Sequence, residues 1–137
     1  MATPDLSVEE ESRLLEAARR VVQNAYAPYS GFRVGAAILT DRGNLYTGCN
    51  VENSSYGLTI CAERTAIASA VTQEGGTQMR IRAVAVVNER ETYCPPCGAC
   101  RQVIYEFGEN VVIVLQEGDN LKRASIAELL PGAFQLD

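Results

Sequence analysis

IRAVAVVN, residues 81–88, is almost continuously apolar, which is the pattern of a strand covered on both faces rather than one with a solvated side. VVIVL at 111–115 has the same character, so it reads as a second buried strand. Between them Pro95 and Pro96 break the chain ahead of a helix in which Cys100, Val103, Ile104 and Phe107 share one face and Gly108 caps the end. Upstream, FRVGAAILT (32–40) is strand-like, DRGN (41–44) is a tight-turn signal and LYTGCNV (45–51) returns as the second arm of a hairpin. ENSSYGLTI (52–60) reads as a polar loop, and a further helix is expected from about Cys61 to Val71, stopped by Gly75-Gly76. At the N-terminal end Ser7 and Glu10 form a capping box. Leu14, Leu15, Ala18, Val21, Val22 and Ala25 then recur at helical spacing, predicting a helix over 8–26 that Pro28 and Gly31 end. Ser125 and Glu128 make a second capping box for a short C-terminal helix. The order α-β-β-α-β-α-β points to a layered α/β domain with a mixed sheet, with 1–137 as a single domain.

A chain of 137 residues with 47% hydrophobic and 21% charged residues has the composition of a globular protein. No apolar run approaches the length of a membrane span. The stretch MATPDLSVEEESR is acidic and lacks a hydrophobic segment, so no secretory signal is expected and a cytoplasmic location is. Net charge is −5 with the basic residues scattered, which argues against a polynucleotide partner, because phosphate contacts call for a basic face. There are five cysteines and no histidine. Without a secretion signal, metal binding or catalysis is favoured over a disulfide framework. Acid–base chemistry near neutral pH then falls to a carboxylate, a thiol, a tyrosine or a metal-activated water.

Cys61-Ala62-Glu63 and Cys97-Gly98-Ala99-Cys100 each stand at the start of a predicted helix. A Cys-x-x-Cys pair there puts two sulfurs on one face, and the partial positive charge of helix N-termini favours the thiolate that metals require. Zinc held by three thiolates keeps one position open for water, which it can ionise near neutral pH. Glu63 follows the first of these cysteines closely enough to approach such a water without binding the metal, and could take its proton and pass it on. Cys94 also lies near, so Cys61, Cys94, Cys97 and Cys100 could instead form a closed structural site; spacing leaves both arrangements open.

Cys-x-Glu followed by Pro-Cys-x-x-Cys is the signature of the zinc deaminases. Beyond it, TGCNVENSSYGLTICAERTAIASAV (47–71), PCGACRQVIYEF (96–107), FRVGAA (32–37) and LLPGAF (129–134) strongly resemble the small homotetrameric cytidine deaminases, over nearly the whole chain. The resemblance implies a three-layer α/β/α sandwich with a mixed central sheet, one Zn²⁺ per chain and a homotetramer. It implies hydrolytic deamination of cytidine and deoxycytidine to uridine and deoxyuridine by a zinc-bound hydroxide, in pyrimidine salvage. Cys61, Cys97 and Cys100 would be the zinc ligands and Glu63 the proton shuttle to N3 and to the departing ammonia. Arg64 would offset the charge of the thiolates, Asn50 and Glu52 would bond the ribose hydroxyl, Phe32 would pack on the pyrimidine, and the Ala62 main chain would meet the base edge. Ser54, Tyr56 and Phe134 would reach a neighbouring subunit's site. Taken alone, Arg64 would read as a surface charge, Asn50 and Glu52 as loop residues, and Phe32, Tyr56 and Phe134 as packing. Cys94 and Pro95 depart from the family pattern, whereas Cys49 suits a buried strand and is expected in the core. Two rival functions stand beside the main one: deamination of a cytosine-containing nucleoside antibiotic, and a non-catalytic module stabilised by zinc.

Overall fold

The structure, a computed structural model, describes residues 6–136; Met1–Asp5, the start of the stretch read above for a leader, and Asp137 lie outside the described residues. Alternate residues of the apolar run at Ile81–Asn88 (β3) feed two separate cores. Val84 and Val86 pack beneath helices α2 (Ala62–Glu74) and α3 (Gly98–Glu106), whereas Ala83, Ala85 and Val87 pack under α1 (Val8–Val21). That two-sided burial is why the run shows no polar alternation. β1 (Val34–Thr40) and β4 (Val112–Glu117) divide in the same way: Ala36, Ile38, Ile113 and Leu115 face one layer, and Ala37, Leu39, Val112 and Val114 the other. The result is a three-layer α/β/α sandwich. Each fully buried Leu or Ile in it contributes about 1.5–3 kcal/mol relative to exposure.

With β2 (Leu45–Cys49) and β5 (Asn120–Ser125) the sheet has five strands in the order β2-β1-β3-β4-β5. β3 and β4 are parallel, joined through α3, and every other pair is antiparallel, so the sheet is mixed as expected. Gly35, near the start of β1, lies opposite both Cys49 and Val87. The C-terminal ends of β2 and β3 therefore meet at one edge of the sheet, on either side of the start of β1, and the chain leaves both ends toward Cys61 and Cys97. Close helix–sheet approach is built in at two glycines: a Cβ on Gly48 would lie 2.3 Å from the Ala66 amide nitrogen of α2, and one on Gly35 2.3 Å from the Ala18 carbonyl of α1. No larger residue fits at either position without moving a helix.

Several boundaries differ from the sequence reading. α1 ends at Val21 and tightens to a 3₁₀ turn at Val22–Asn24, short of residue 26. The chain from Ala25 is extended because Tyr26 pairs with the segment after β2, donating to the Asn50 carbonyl at 3.0 Å and accepting from the Glu52 amide at 2.8 Å. α2 runs past Val71 to Glu74, where Gly75 with φ 93 closes it. Gly108 does not supply a left-handed cap; Phe107 caps α3, and Gly108 is small because the Ile81 carbonyl would stand 2.9 Å from its Cβ. Cys49 is half-buried rather than in the core. β5 and its turn at Gly118 were missed, since NLKRAS lies on the sheet edge with most of its residues exposed and shows no apolar pattern. Both capping boxes form as expected, at Ser7–Glu10 and Ser125–Glu128. No helix among the described residues is long and apolar enough to cross a membrane.

Candidate active site

Cys61 is the N-cap of α2 and Cys97 the N-cap of α3, and neither helix start has a side-chain cap. Free amides at both ends are therefore available to favour negatively charged sulfur. Cys100 sits one turn into α3, fully buried, while Cys61 is half-buried and Cys97 exposed. Their three sulfurs lie within 4.8 Å of one another, close enough to share one metal ion. Cys94 is not in that group, so among the described residues the cluster is a three-sulfur set rather than the closed four-cysteine alternative. A hydrogen bond from Cys100, with Arg64 beside it, lowers the Cys61 thiol to about 5, and the same contact with Cys61 pushes Cys100 up. A shared negative charge thus settles first on Cys61, next to the guanidinium.

Arg64, three residues into α2, places Nη2 3.6 Å from the Cys61 sulfur. Its Nε is buried without a hydrogen-bond partner. A half-buried cation beside the Cys61 sulfur, with a buried donor to spare, suits a zinc site whose three thiolates outweigh the two charges of the ion. Tetrahedral zinc takes thiolates readily, and three such ligands leave a position open. The residues present fit the ion.

Glu63, in the first turn of α2, is 5% exposed, and burial, followed by the neighbouring Cys61, pushes its carboxyl up. It lines a cleft of about 190 Å³ together with Ala62, Cys61, Cys97, Asn50 and Cys94. Asn50 is buried and its side chain clamps the entry to β1: Oδ1 accepts from the Val34 amide and Nδ2 donates to the Phe32 carbonyl, both at 2.9 Å. Phe32 is not among the residues lining this cleft; its ring lies under the Arg90 guanidinium at 5.3 Å. Glu52 lines a second, larger depression of about 620 Å³ with Tyr29, Ser30, Ser54 and Tyr56, which shares Thr59 with the first. Its Oε1 accepts from the Tyr29 and Ser30 amides at 2.9 and 3.1 Å, and Oε2 accepts from the Ser30 hydroxyl, holding the carboxyl down and fixed. Tyr56 and Phe134 are 90% and 66% exposed and Ser54 is exposed, so these three are not packing residues of their own chain.

Asn88 went unrecognised in the sequence. It is buried at the end of β3, where Oδ1 accepts from the Arg90 and Thr92 amides and from the Thr92 hydroxyl, and Nδ2 donates to the Thr92 carbonyl at 2.9 Å. It thereby folds the loop that leads to Cys94 and Cys97. An asparagine closing an apolar strand was the only available signal, and it is a weak one.

Comparison with known proteins supplies the family. The family model described as the cytidine and deoxycytidylate deaminase zinc-binding region matches residues 8–116. A cytidine deaminase of Sporosarcina psychrophila is 45% identical over 124 residues, 89% of each chain. The crystal structure of cytidine deaminase from Mycobacterium tuberculosis superposes with a TM-score of 0.82 at 39% identity, covering 96% of this chain and all of the other. That of cytidine deaminase from Burkholderia pseudomallei also gives 0.82, at 44% identity, with 94% of this chain covered and 100% of the other. On a match that spans both helix-capping cysteine motifs and most of the sheet, the chain belongs to the zinc-binding family of cytidine and deoxycytidylate deaminases.

Proposed function

We propose that this protein is a zinc hydrolase that converts free cytidine and deoxycytidine to uridine and deoxyuridine with release of ammonia. The observation that carries the reading is the three-sulfur group of Cys61, Cys97 and Cys100 with the buried carboxyl of Glu63 on the same cleft. Those cysteines would hold the metal. When bound, zinc supplies Lewis acidity, bringing the ionisation of water into the neutral range. Glu63 manages the protons: it accepts one from the attacking water, protonates N3 of the cytosine ring and later delivers a proton to the departing amino group. Burial that raises its carboxyl suits a group that must both take and give a proton near neutral pH. Arg64 offsets the charge of the thiolates from 3.6 Å. Ala62 and Asn50 form the wall the base would meet, and Phe32 is assigned to the ring on resemblance to the family.

Selection for a nucleoside falls to Glu52. Three donors from Tyr29 and Ser30 fix its carboxylate, which leaves it as an acceptor for a sugar hydroxyl and a repulsive neighbour for a 5′-phosphate. Net charge of −5 and scattered basic residues disfavour a polynucleotide substrate. The exposed Ser54, Tyr56 and Phe134 are assigned to a neighbouring subunit's site in a homotetramer, and the enzyme to pyrimidine salvage in the cytoplasm. The test is the ultraviolet change on incubating purified protein with cytidine, with and without a strong chelator. Turnover that the chelator abolishes is expected; a sample carrying one zinc per chain that leaves cytidine and deoxycytidine unchanged would refute the assignment.

A further inference from the structure

The three ligating cysteines are not held equally. Cys100 is locked by burial inside α3, and Cys61 has the Arg64 guanidinium beside its sulfur. Cys97 is exposed, so packing does little to place it, and its sulfur depends on its backbone. That backbone follows Pro95 and Pro96, whose rings restrict rotation, and the orientation of the Pro96–Cys97 peptide decides where Cys97 points. One side chain grips this peptide. Arg101 donates from Nε to the Pro96 carbonyl at 2.7 Å and from Nη1 to the Leu129 carbonyl at 2.8 Å. Leu129 ends α4 (Ile126–Leu129), which is seated in the core by the fully buried Ile126 and by the bond from its amide to the Val111 carbonyl. The guanidinium therefore spans two carbonyls from distant parts of the chain, one adjoining a metal ligand and one fixed to the core. Its planar fork allows both bonds at once.

We infer that Arg101 is a positioning residue for the metal, holding Cys97 in register with Cys61 and Cys100 by bracing the Pro96 carbonyl against the end of α4. This rests on the three-cysteine zinc site of the proposed function, but its test reads metal binding rather than turnover. Zinc affinity of the full chain would be measured by competition with a chromophoric chelator for the parent, Arg101→Met, Arg101→Lys and Ile126→Val. Loss of a residue that orients a ligand weakens metal binding roughly 10–100-fold, and that is expected for Arg101→Met. A lysine provides a point donor that cannot hold both carbonyls, so Arg101→Lys is expected to weaken zinc by a smaller factor. Ile126→Val trims one methylene from the core but leaves the α4 backbone and the Leu129 carbonyl in place, so it reports general core destabilisation and is expected to bind zinc within about twofold of the parent. The cobalt(II)-loaded Arg101→Met chain should show altered thiolate-to-cobalt absorption, because the Cys97 bond changes. Parent-like affinity in both Arg101 variants overturns the inference, as does an equal loss in Ile126→Val. Should Arg101→Met not fold, Arg101→Lys decides alone, parent-like affinity being the overturning result. A zinc-loaded parent that fails to deaminate cytidine would remove the proposed reaction and leave this measurement standing.

Discussion

At the scale of single residues, the site uses side chains with separable duties, so substitutions should separate them too. Glu63 lies on the cleft but is not one of the three clustered sulfur ligands, which predicts that Glu63→Gln keeps both zinc and fold. Turnover should fall by roughly 10²–10⁴-fold, the usual value of a positioned acid–base group, measured as kcat on protein with its zinc content determined. Near-parent kcat in the loaded variant would take Glu63 out of the proton path. Cys94 is half-buried on the same cleft, and burial pushes its thiol up, so it stays neutral and outside the sulfur cluster. Cys94→Ser should retain one zinc per chain and near-parent activity; loss of the metal would revive the four-cysteine arrangement. Cys-x-Glu and Pro-Cys-x-x-Cys were legible because their residue types are rare and their spacing is local. Asn88 and Arg101 were not, because an asparagine after a strand and an arginine in a helix are common, and their partners Thr92, Pro96 and Leu129 are defined only by the folded chain.

At the scale of elements, local chemistry predicted most starts and fewer ends. Both Ser-x-x-Glu boxes formed where expected, since a capping box needs only a four-residue segment. The end of α1 was misplaced because what stops it is pairing of Tyr26 with Asn50 and Glu52, distant in sequence. Glu10 has a second duty beyond its capping bond to the Ser7 amide at 3.0 Å: it also pairs with Arg82 of β3 at 2.9 Å. The Ser7 amide bond first, and Arg82 next, hold its carboxyl below the ordinary value of 4.5. A carboxyl lowered in the folded state stabilises above its unfolded pKa and loses that contribution as pH falls through the folded one. Thermal midpoints of Glu10→Gln should therefore lie below the parent's near neutral pH, and the gap should close as pH is taken below 4.5. A gap that is constant from neutral to acid would show that the charge of Glu10 is not what stabilises the start of α1.

At the scale of the whole molecule, a zinc ion held by Cys61, Cys97 and Cys100 would tie together two helix starts that no covalent bond joins. The ligands come from the N-caps of α2 and α3 and from the first turn of α3, and a metal bound only by the folded arrangement stabilises it by mass action. Chelation should lower the thermal midpoint of the parent, and zinc but not magnesium should restore it, since magnesium prefers oxygen ligands. A midpoint indifferent to chelator on protein shown to have lost its metal would mean that the cysteine cluster carries no structural load.

What the sequence determined by itself was whatever depends on near neighbours or on composition: capping boxes, the two-sided apolar strands, the absence of histidine, and the Cys-x-Glu and Pro-Cys-x-x-Cys motifs at two helix starts. What only the tertiary structure decided was where those pieces meet. β1 pairs antiparallel with both β2 and β3, which brings the ends of those two strands to one edge and so delivers Cys61 and Cys97 to the same place. Gly48 sets how close α2 may lie to β2, by a 2.3 Å approach to Ala66 that no local pattern encodes. β5 escaped notice because its exposed side chains follow no apolar period; its place in the sheet comes from backbone pairing with β4. Backbone hydrogen bonds and close packing depend on which distant segments become neighbours, and that is specified by the fold rather than by any window of the chain.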